Sequence, residues 1–254
     1  MCDSCGCGDP KVMPFDVHER ILAANDRVAR HNREHFHDHG VFVVNLMGSP
    51  GSGKTAILEA TARALAAPGA DPVAVGVLAG DLATENDAAR IRAAGIRAES
   101  ITTGSACHLD ADMVHQALHR LPWRSLDYLF IENVGNLVCP AVYDLGQDVN
   151  VVALSVTEGE DKPLKYPTMF CKADLVLLTK IDLLPHLSTD HCGGPCPPVD
   201  VATIERNLMA VMPRAAMLQI SSSSGAGVAE WIRWLRGQGW PRGAACTTAA
   251  GMSV

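Results

Sequence analysis

Residues 48–55 restrict the possible folds of this chain more than any other segment. Their sequence, Gly-Ser-Pro-Gly-Ser-Gly-Lys-Thr, fits the pattern G-x-x-x-x-G-K-[ST] at every fixed position. The apolar run at residues 41–47 predicts a buried strand before the motif, and residues 54–67 predict a helix after it. A glycine-rich turn between a strand and a helix directs backbone N–H groups at an anion, which the helix N-terminus also favours. The segment therefore predicts a phosphate-binding P-loop.

The P-loop also makes predictions about individual side chains. Lys54 is expected to reach the β- and γ-phosphate oxygens of a nucleotide, and Thr55 is expected to ligate Mg²⁺. The P-loop residues expected to contact the nucleotide are Gly48, Ser49, Gly51, Ser52, Gly53, Lys54 and Thr55.

Further apolar runs predict the rest of a sheet. They lie at residues 73–79, 126–131, 151–156, 175–179 and 217–220, and helical patterns such as 110–121 and 203–211 lie between several of them. Strands that alternate with helices predict an α/β fold, with a mostly parallel sheet flanked by helices on both faces.

The ends of the chain have a different character. Residues 1–13 are rich in Cys and Gly and predict a flexible tail that binds metal, and residues 14–40 predict an amphipathic helix with a His-rich linker. Residues 41–237 are expected to form the nucleotide-binding domain. The Ala/Gly/Thr-rich residues 238–254 are expected to be a disordered tail.

Composition bounds the class of protein. A chain of 254 residues with a net charge of −7 suits one domain, and the negative charge argues against nucleic acid and anionic membrane as partners. No run approaches the roughly 20 apolar residues of a membrane span, and the N-terminus lacks the pattern of a signal peptide. We therefore expect a cytoplasmic protein, in which the nine cysteines are metal ligands or redox groups rather than disulfides.

Acidic residues follow two of the predicted strands. Glu132 ends one strand and is followed by Gly135, which is free to contact a γ-phosphate, while Asp81 and Asp87 follow another strand. Each of the three acids is a candidate for holding Mg²⁺ or the attacking water. For Asp81 and Asp87, the alternative is a solvated loop acid.

The segment Thr179-Lys180-Ile181-Asp182 predicts which base is bound. It resembles the N-K-x-D element of GTPases, with Thr in place of Asn. A carboxylate at Asp182 accepts hydrogen bonds from the N1–H and the 2-amino group of guanine, and the stem of Lys180 covers the ring. Ser222, after the next strand, is expected near the guanine oxygen. GTP and GDP are therefore the expected nucleotides.

Two groups of Cys and His residues predict metal sites. Cys2, Cys5 and Cys7 lie close enough to wrap one soft ion, although a redox or incidental cluster is the alternative. Cys107, His108 and Cys139 are distant in sequence, and from the residues alone they are as compatible with core positions as with ligands. Two other groups are candidates for metal binding with a plain alternative each. For His31 to His39, weak metal binding competes with a solvated helix end, and for His186, His191, Cys192 and Cys196 a surface insertion is slightly favoured over a metal site.

Taken together, these motifs resemble the HypB family of hydrogenase nickel-incorporation GTPases. The resemblance rests on Cys2-x-x-Cys5-x-Cys7, the P-loop, Cys107-His108, residues 132–135, Cys139-Pro140 and residues 180–182. It implies a GTPase of the signal-recognition/MinD-like class that delivers Ni²⁺ to the large-subunit precursor of [NiFe]-hydrogenase.

The resemblance also implies ligands and partners. It implies that Cys2, Cys5 and Cys7 bind nickel tightly, and that Cys107, His108 and Cys139 bind nickel or Zn²⁺. It further implies a GTP-favoured homodimer, a HypA-type nickel/zinc partner, and a lysine, Lys162 or Lys165, that reaches the other subunit's nucleotide. The long poly-His tract of some relatives is reduced here to four histidines, and the family suggests no role for residues 188–198.

Three other functions are consistent with parts of the sequence. The first is the urease accessory GTPase, against which the N-terminal cysteine motif argues. The second is a small-molecule kinase, and the third is a nickel-storage or zinc-structural module with a vestigial nucleotide site. Release of inorganic phosphate from GTP separates the hydrolases from the others.

Overall fold

The computed structural model describes residues 14–67, 72–81, 86–104, 106–187, 199–214 and 216–239. The expected tail at residues 1–13, with Cys2, Cys5 and Cys7, lies outside the described residues. The same holds for residues 188–198, with Cys192 and Cys196, and for residues 240–254 of the expected C-terminal tail. The predicted division into tail, helix and domain therefore stays a prediction.

The core of the structure is one seven-stranded parallel sheet. Its strands are β1 (Phe42–Gly48), β2 (Val75–Asp81), β3 (Arg97–Thr102), β4 (Tyr128–Glu132), β5 (Val149–Ser155), β6 (Leu175–Thr179) and β7 (Met217–Ile220). The spatial order is β3-β2-β4-β1-β5-β6-β7, and every pair is parallel. The prediction of a parallel α/β fold is confirmed. The carboxyl ends of all seven strands meet at one edge, where ligands of such sheets bind.

Eight α-helices connect and cover the strands in the described ranges. They are α1 (Pro14–Asp38), α2 (Lys54–Leu65), α3 (Asn86–Ala93), α4 (Ala111–Leu118), α5 (Lys162–Lys165), α6 (Pro167–Cys171), α7 (Val201–Val211) and α8 (Val228–Gly239). Short 3-10 turns occupy Trp123–Ser125, Cys139–Ala141 and Ile181–His186. None of the helices within the described ranges is long and apolar enough to cross a membrane.

The two faces of the sheet bury different helices. Strand residues such as Val44 pack with α2, α3 and α8 on one face, where Trp231 is fully buried. Alternate residues such as Val43 pack with α1 and α4 on the other face, and α6 and α7 cover its far end. This alternation is what the period of a strand requires, and it gives the two covered faces that the sequence predicts.

Helix α1 continues to Asp38 and so includes most of the His-rich segment that was expected to be a linker. Phe36 in its last turns is fully buried, and Arg33 forms a 2.7 Å ion pair with Asp144. Asn32, also buried, donates to the carbonyl oxygens of Ala111 and Leu145. These tertiary contacts stabilise a helical end whose sequence is polar, so His31, His35 and His37 lie within the helix.

Two elements at one edge of the sheet have no clear signal in the sequence. Strand β3 is the edge strand, and its sequence Arg-Ala-Glu-Ser-Ile-Thr buries only Ala98 and Ile101. Helix α3 buries only Ala88 and Ile91. With one covered side and few apolar residues, neither element produces a strong hydrophobic period.

Candidate functional site

The P-loop lies at the carboxyl end of β1, which is the central strand of the sheet. Gly48 approaches β5 so closely that a Cβ there would lie 2.4 Å from the carbonyl oxygen of Ala153. Gly53 then caps α2 in the left-handed conformation, with φ 97°. Helix α2 therefore begins at Lys54 with its free N–H groups at the mouth of the loop, which is the anion site that the motif predicts.

Lys54 is held over the loop by the loop's own backbone. Its side chain is largely buried, and Nζ donates to the carbonyl oxygens of Gly48 at 3.3 Å and Ser49 at 3.1 Å. Burial lowers the pKa of Lys54, while the nearby carboxylates, Glu132 foremost, act in the opposite direction. A phosphate oxygen in this position would replace weak carbonyl acceptors with a strong anionic one.

Thr55 joins two of the predicted acids. Its Oγ1 lies 2.8 Å from Glu132 Oε1 and 3.0 Å from Asp87 Oδ1. Glu132 is buried, and its second oxygen, Oε2, has no hydrogen-bond partner among the described residues. Burial, the largest cause, raises the pKa of Glu132 to about 7. An unpartnered carboxylate oxygen beside a threonine hydroxyl fits the oxygen ligands that Mg²⁺ prefers.

A cavity of about 470 Å³ joins these groups. Among its lining residues are Lys54, Thr55, Asp81, Asp87, Arg90, Glu132 and Gly135. The structure thus brings the predicted catalytic residues of the phosphate site together. A Cβ at Gly135 would lie 2.9 Å from Pro50, so the loop after β4 touches the P-loop as closely as a glycine permits.

The predicted base-binding residues lie at the carboxyl ends of β6 and β7. Thr179 Oγ1 donates to the Ser52 carbonyl at 2.6 Å, and Lys180 Nζ donates to the Gly51 carbonyl at 2.7 Å. The Ser221 hydroxyl, the first cause, and that of Ser223 hold the pKa of Asp182 below its ordinary value. A carboxylate kept ionised in this way is the acceptor that guanine recognition requires.

Ser222 borders a second cavity rather than the cavity of about 470 Å³ that Lys54 and Glu132 line. This cavity has a volume of about 1030 Å³ and also borders Ser223, Ser224 and helix α8. The residues predicted to bind the nucleotide therefore form two sets. The residues around the P-loop face the phosphates, and Lys180, Asp182 and Ser222 are the predicted base-binding residues. The contacts of Thr179 and Lys180 with the P-loop join the two sets.

Cys107, His108 and Cys139 meet in space although 32 residues separate the two cysteines. Their ligand atoms lie within 4.8 Å of one another, with 3.0 Å between the two sulfur atoms. The His108 ring stacks on Tyr143 at 3.9 Å, and burial lowers the pKa of His108. The neighbouring Cys107 thiol is the main cause of the raised pKa of Cys139. Two free thiols and a neutral imidazole fit a borderline ion such as Ni²⁺ or Zn²⁺.

Asn136 links this group to the P-loop. It forms an isolated β-bridge with Gly48, and its Nδ2 donates to the Cys107 carbonyl at 3.3 Å. Glu158 is a second contact that the sequence did not reveal, and its Oε2 accepts a 2.5 Å hydrogen bond from Ser49. Both residues follow strands that end at the P-loop edge, and that position is the signal that points to them.

The two candidate cross-subunit lysines lie on the short helix α5. Lys165 forms a 2.6 Å ion pair with Asp161, and Lys162 lies over the ring of Tyr166. Neither lines the cavity that holds Lys54 and Glu132.

Comparison with known proteins agrees with this geometry. The family described as CobW/HypB/UreG, nucleotide-binding domain, matches residues 42–193. The hydrogenase maturation factor HypB of Rhizobium leguminosarum bv. viciae is 50% identical over 221 residues, which are 87% of this chain and 69% of the relative. That of Escherichia coli (strain K12) is 47% identical over 224 residues, or 88% of this chain and 72% of the relative.

Two solved structures are also similar over most of the chain. HypB from Helicobacter pylori in complex with nickel gives a TM-score of 0.76 at 37% identity, covering 90% of this chain and all of that one. HypB from Archaeoglobus fulgidus gives 0.74 at 39% identity, covering 85% of this chain and 98% of that one.

Proposed function

Because this chain belongs to the HypB family of hydrogenase maturation factors, we propose a role for each part of its site in GTP hydrolysis and nickel delivery. The chain is a GTPase of hydrogenase maturation that acts with nickel. The observation that carries the assignment of residues is the contact of Thr55 with Glu132 and Asp87 beside the buried Lys54. Together these groups offer a cation at one side of the phosphates and carboxylates at the other.

In the proposed hydrolysis, the chain positions the γ-phosphate and the attacking water. Lys54 exchanges its two backbone carbonyls for β- and γ-phosphate oxygens, and the backbone N–H groups of the loop hold the β-phosphate. Thr55 and Glu132 would hold Mg²⁺, with Asp87 beside them, and the bound ion supplies neutralisation of phosphate charge. Asp81, which also lines the cavity, is assigned to orient the water. Gly135 approaches the γ-phosphate through its backbone.

Guanine recognition is assigned to the predicted base-binding residues. Asp182 accepts from N1–H and the 2-amino group, Lys180 covers the ring, and Ser222 faces the guanine oxygen. The Lys180 contact with Gly51 supports this arrangement, because it fixes the base-binding residues relative to the P-loop.

Nickel is the cargo rather than a resident cofactor. We assign Cys2, Cys5 and Cys7 to a tight nickel site in the N-terminal segment, and Cys107, His108 and Cys139 to a second site for nickel or Zn²⁺. The second site adjoins the nucleotide because Asn136 contacts both Gly48 and Cys107. A γ-phosphate that tightens the loop after β4 would therefore move Cys139 relative to Cys107.

Partners are proposed on the same basis. We propose a homodimer favoured by GTP, a HypA-type nickel/zinc metallochaperone, and the large-subunit precursor of [NiFe]-hydrogenase as the acceptor. Val138 and Val142 support an interface at the second metal site, since both flank Cys139 and are 53% and 40% exposed. Lys162 or Lys165 would reach the nucleotide of the other subunit.

One assay tests the proposal as a whole. Release of inorganic phosphate from GTP and from ATP is measured with the purified chain, with and without Mg²⁺, and its bound nickel and zinc are quantified. We expect Mg²⁺-dependent release from GTP only. Transfer of the γ-phosphate to a small molecule would indicate a kinase, and bound metal without turnover would indicate a storage protein. Either result would reject the proposal.

A further inference from the structure

A cluster of histidines lies between α1 and α4, outside the sites described so far. His31 and His35 are four residues apart on α1, so they share one face of that helix. His115 on α4 faces them, and its ring centre lies 5.3 Å from that of His31 and 6.2 Å from that of His35. The ring centres of His31 and His35 are 4.1 Å apart. His119 follows one turn after His115, at 5.5 Å.

We propose that His31, His35 and His115 bind one divalent late transition-metal ion, Ni²⁺ or Zn²⁺, at a site separate from the two cysteine sites. Two histidines at positions i and i+4 of a helix are a known arrangement for holding such an ion. Imidazole nitrogen is a preferred ligand of both metals. The inference depends on side-chain placement and not on the proposed function.

The spacing of the three rings fits one shared ion. Three imidazoles bound tetrahedrally at a metal–nitrogen distance of about 2.1 Å place their ring centres about 5 Å apart. The three observed separations bracket that value, and the rings are tilted by 44° to 53° rather than stacked on one another. In the part of the chain that the structure describes, only the Cys107 group already has its ligand atoms within 4.8 Å of one another. Binding at the histidines therefore requires rotation of the rings, but no movement of the helices.

One of the three ligands is already oriented. The buried Asn32 donates through Nδ2 to two backbone carbonyls, so its Oδ1 is left as an acceptor. His115 Nδ1 lies 2.9 Å from that Oδ1 and must therefore carry the proton. Its Nε2 keeps a lone pair for a metal ion. A hydrogen bond from the other ring nitrogen, as here from Nδ1 to Asn32, commonly fixes the tautomer and orientation of a metal-binding histidine. Burial, first, and His31, second, lower the pKa values of both His35 and His115, which favours the neutral form that binds metal.

The alternative is simple packing between helices. The His35 ring is parallel to that of Trp123 at 6.3 Å, and the same rings would then only cover the junction of α1 and α4. The two explanations differ in whether the cluster binds an ion, and they predict different spectra.

The test uses the full chain with Cys2, Cys5, Cys7, Cys107 and Cys139 all replaced by Ser. Equilibrium dialysis with Ni²⁺ and with Zn²⁺ should show one remaining equivalent, and Co²⁺ bound there should lack thiolate charge-transfer absorption. His31→Gln or His35→Gln should weaken this binding at least about tenfold, since outer-shell changes alone typically cost 10- to 100-fold. His37→Gln is the matched control on α1, because its Nε2 is paired with Asp148, which is not part of the cluster. It should leave the affinity unchanged.

A second measurement applies to the unsubstituted chain and avoids any folding defect of the serine variant. Imidazole ¹⁵N spectra during Zn²⁺ titration should show His115 bound through Nε2 with its Nδ1 proton retained. If no metal ion binds through nitrogen ligands alone, the rings only pack the two helices together and the proposal is overturned. Equal losses of metal affinity in His37→Gln and His35→Gln would also overturn it, because they would indicate nonspecific electrostatic attraction of the ion. Unchanged His115 signals at saturating Zn²⁺ would also overturn it.

Discussion

The Thr55 hydroxyl oxygen lies 2.8 Å from Glu132 Oε1, in a contact that joins the first turn of α2 to the end of β4. Glu132 is buried, and no described residue hydrogen bonds to its other oxygen. The raised pKa of Glu132, about 7, follows mainly from that burial. Without a bound cation, the ionised carboxylate therefore destabilises the folded chain. A cation bound at Glu132 would remove this destabilisation.

The first prediction concerns stability and pH in the absence of Mg²⁺ and nucleotide. The pKa of Glu132 is about 7 in the folded chain against an ordinary value of 4.5, so the folded state binds more protons between these values. Stability should therefore fall as pH rises from about 4.5 through about 7, by on the order of 3 kcal/mol. Glu132→Gln should remove this part of the pH dependence. Urea unfolding at a series of pH values measures it.

Glu205→Gln, at an exposed position on α7, is the control and should keep the slope of the unsubstituted chain. Saturating Mg²⁺ and GDP should flatten the slope in the unsubstituted chain and have a smaller effect in Glu132→Gln. Equal pH slopes for the unsubstituted chain and Glu132→Gln would contradict the assignment.

The second prediction concerns Lys54. Lys54→Ala should reduce GTP hydrolysis at least about 100-fold, since it removes a cation aimed at the transferred phosphate. The fold should persist, because the hydrogen bonds of Lys54 Nζ to described residues go to two loop carbonyls. Phosphate release and the melting temperature are measured together, with Lys172→Ala on the surface as the control. Undiminished turnover in Lys54→Ala would place the active site elsewhere.

The sequence was informative where one motif fixed many contacts at once. The P-loop and the acids that end the neighbouring strands were predictable, because the carboxyl ends of parallel strands share one edge. Asn136 and Glu158 were missed because their contacts depend on loop conformation, which has no period in the sequence. His115 was missed for a similar reason, since its meeting with His31 depends on how α1 packs on α4. The edge elements β3 and α3 are too polar to produce a signal.

The third prediction concerns base selection. Asp182→Asn should weaken GTP binding about 10- to 100-fold, since a charged acceptor for two guanine donors is replaced by a neutral amide. It should strengthen binding of xanthosine triphosphate, whose 2-position offers a carbonyl to the new amide. Competition binding with GTP, ATP and xanthosine triphosphate measures both changes, and Asp26→Asn on exposed α1 is the control. Equal affinity of the unsubstituted chain for ATP and GTP would refute the role of Asp182.

The fourth prediction concerns the N-terminal cysteines. Replacing Cys2, Cys5 and Cys7 by Ala should remove the tightest nickel site but leave GTP hydrolysis unchanged, because the three ligands lie within six residues of chain. Nickel stoichiometry and affinity are measured beside turnover. Cys171→Ala, which removes an exposed thiol on α6, should change neither quantity. Nickel binding that survives intact in the triple variant would refute the assignment.

The fifth prediction concerns coupling between nucleotide and metal. Cys139 follows the loop whose Gly135 touches the P-loop, and Asn136 in that loop bridges Gly48 and contacts the Cys107 carbonyl. The γ-phosphate should therefore alter the distance between the two sulfur atoms, now 3.0 Å. Tetrahedral zinc with sulfur at about 2.3 Å needs a separation of roughly 3.8 Å, so binding requires the two sulfur atoms to move apart. Nucleotide and metal thus act on the same movement.

To measure this coupling, Ni²⁺ and Zn²⁺ affinities are compared in the GDP state and with a non-hydrolysable GTP analogue, in protein that lacks the N-terminal triad. Couplings of about 1–3 kcal/mol, or roughly 5- to 150-fold, are typical, and linkage requires metal to change nucleotide affinity by the same factor. Cys107→Ala should abolish the binding itself. Asn136→Ala keeps all three ligands, so it should preserve binding but reduce the ratio between the two states. Equal affinities in both states would mean that the metal only links two loops as a structural site. A ligand that binds two conformations equally well does not shift the equilibrium between them.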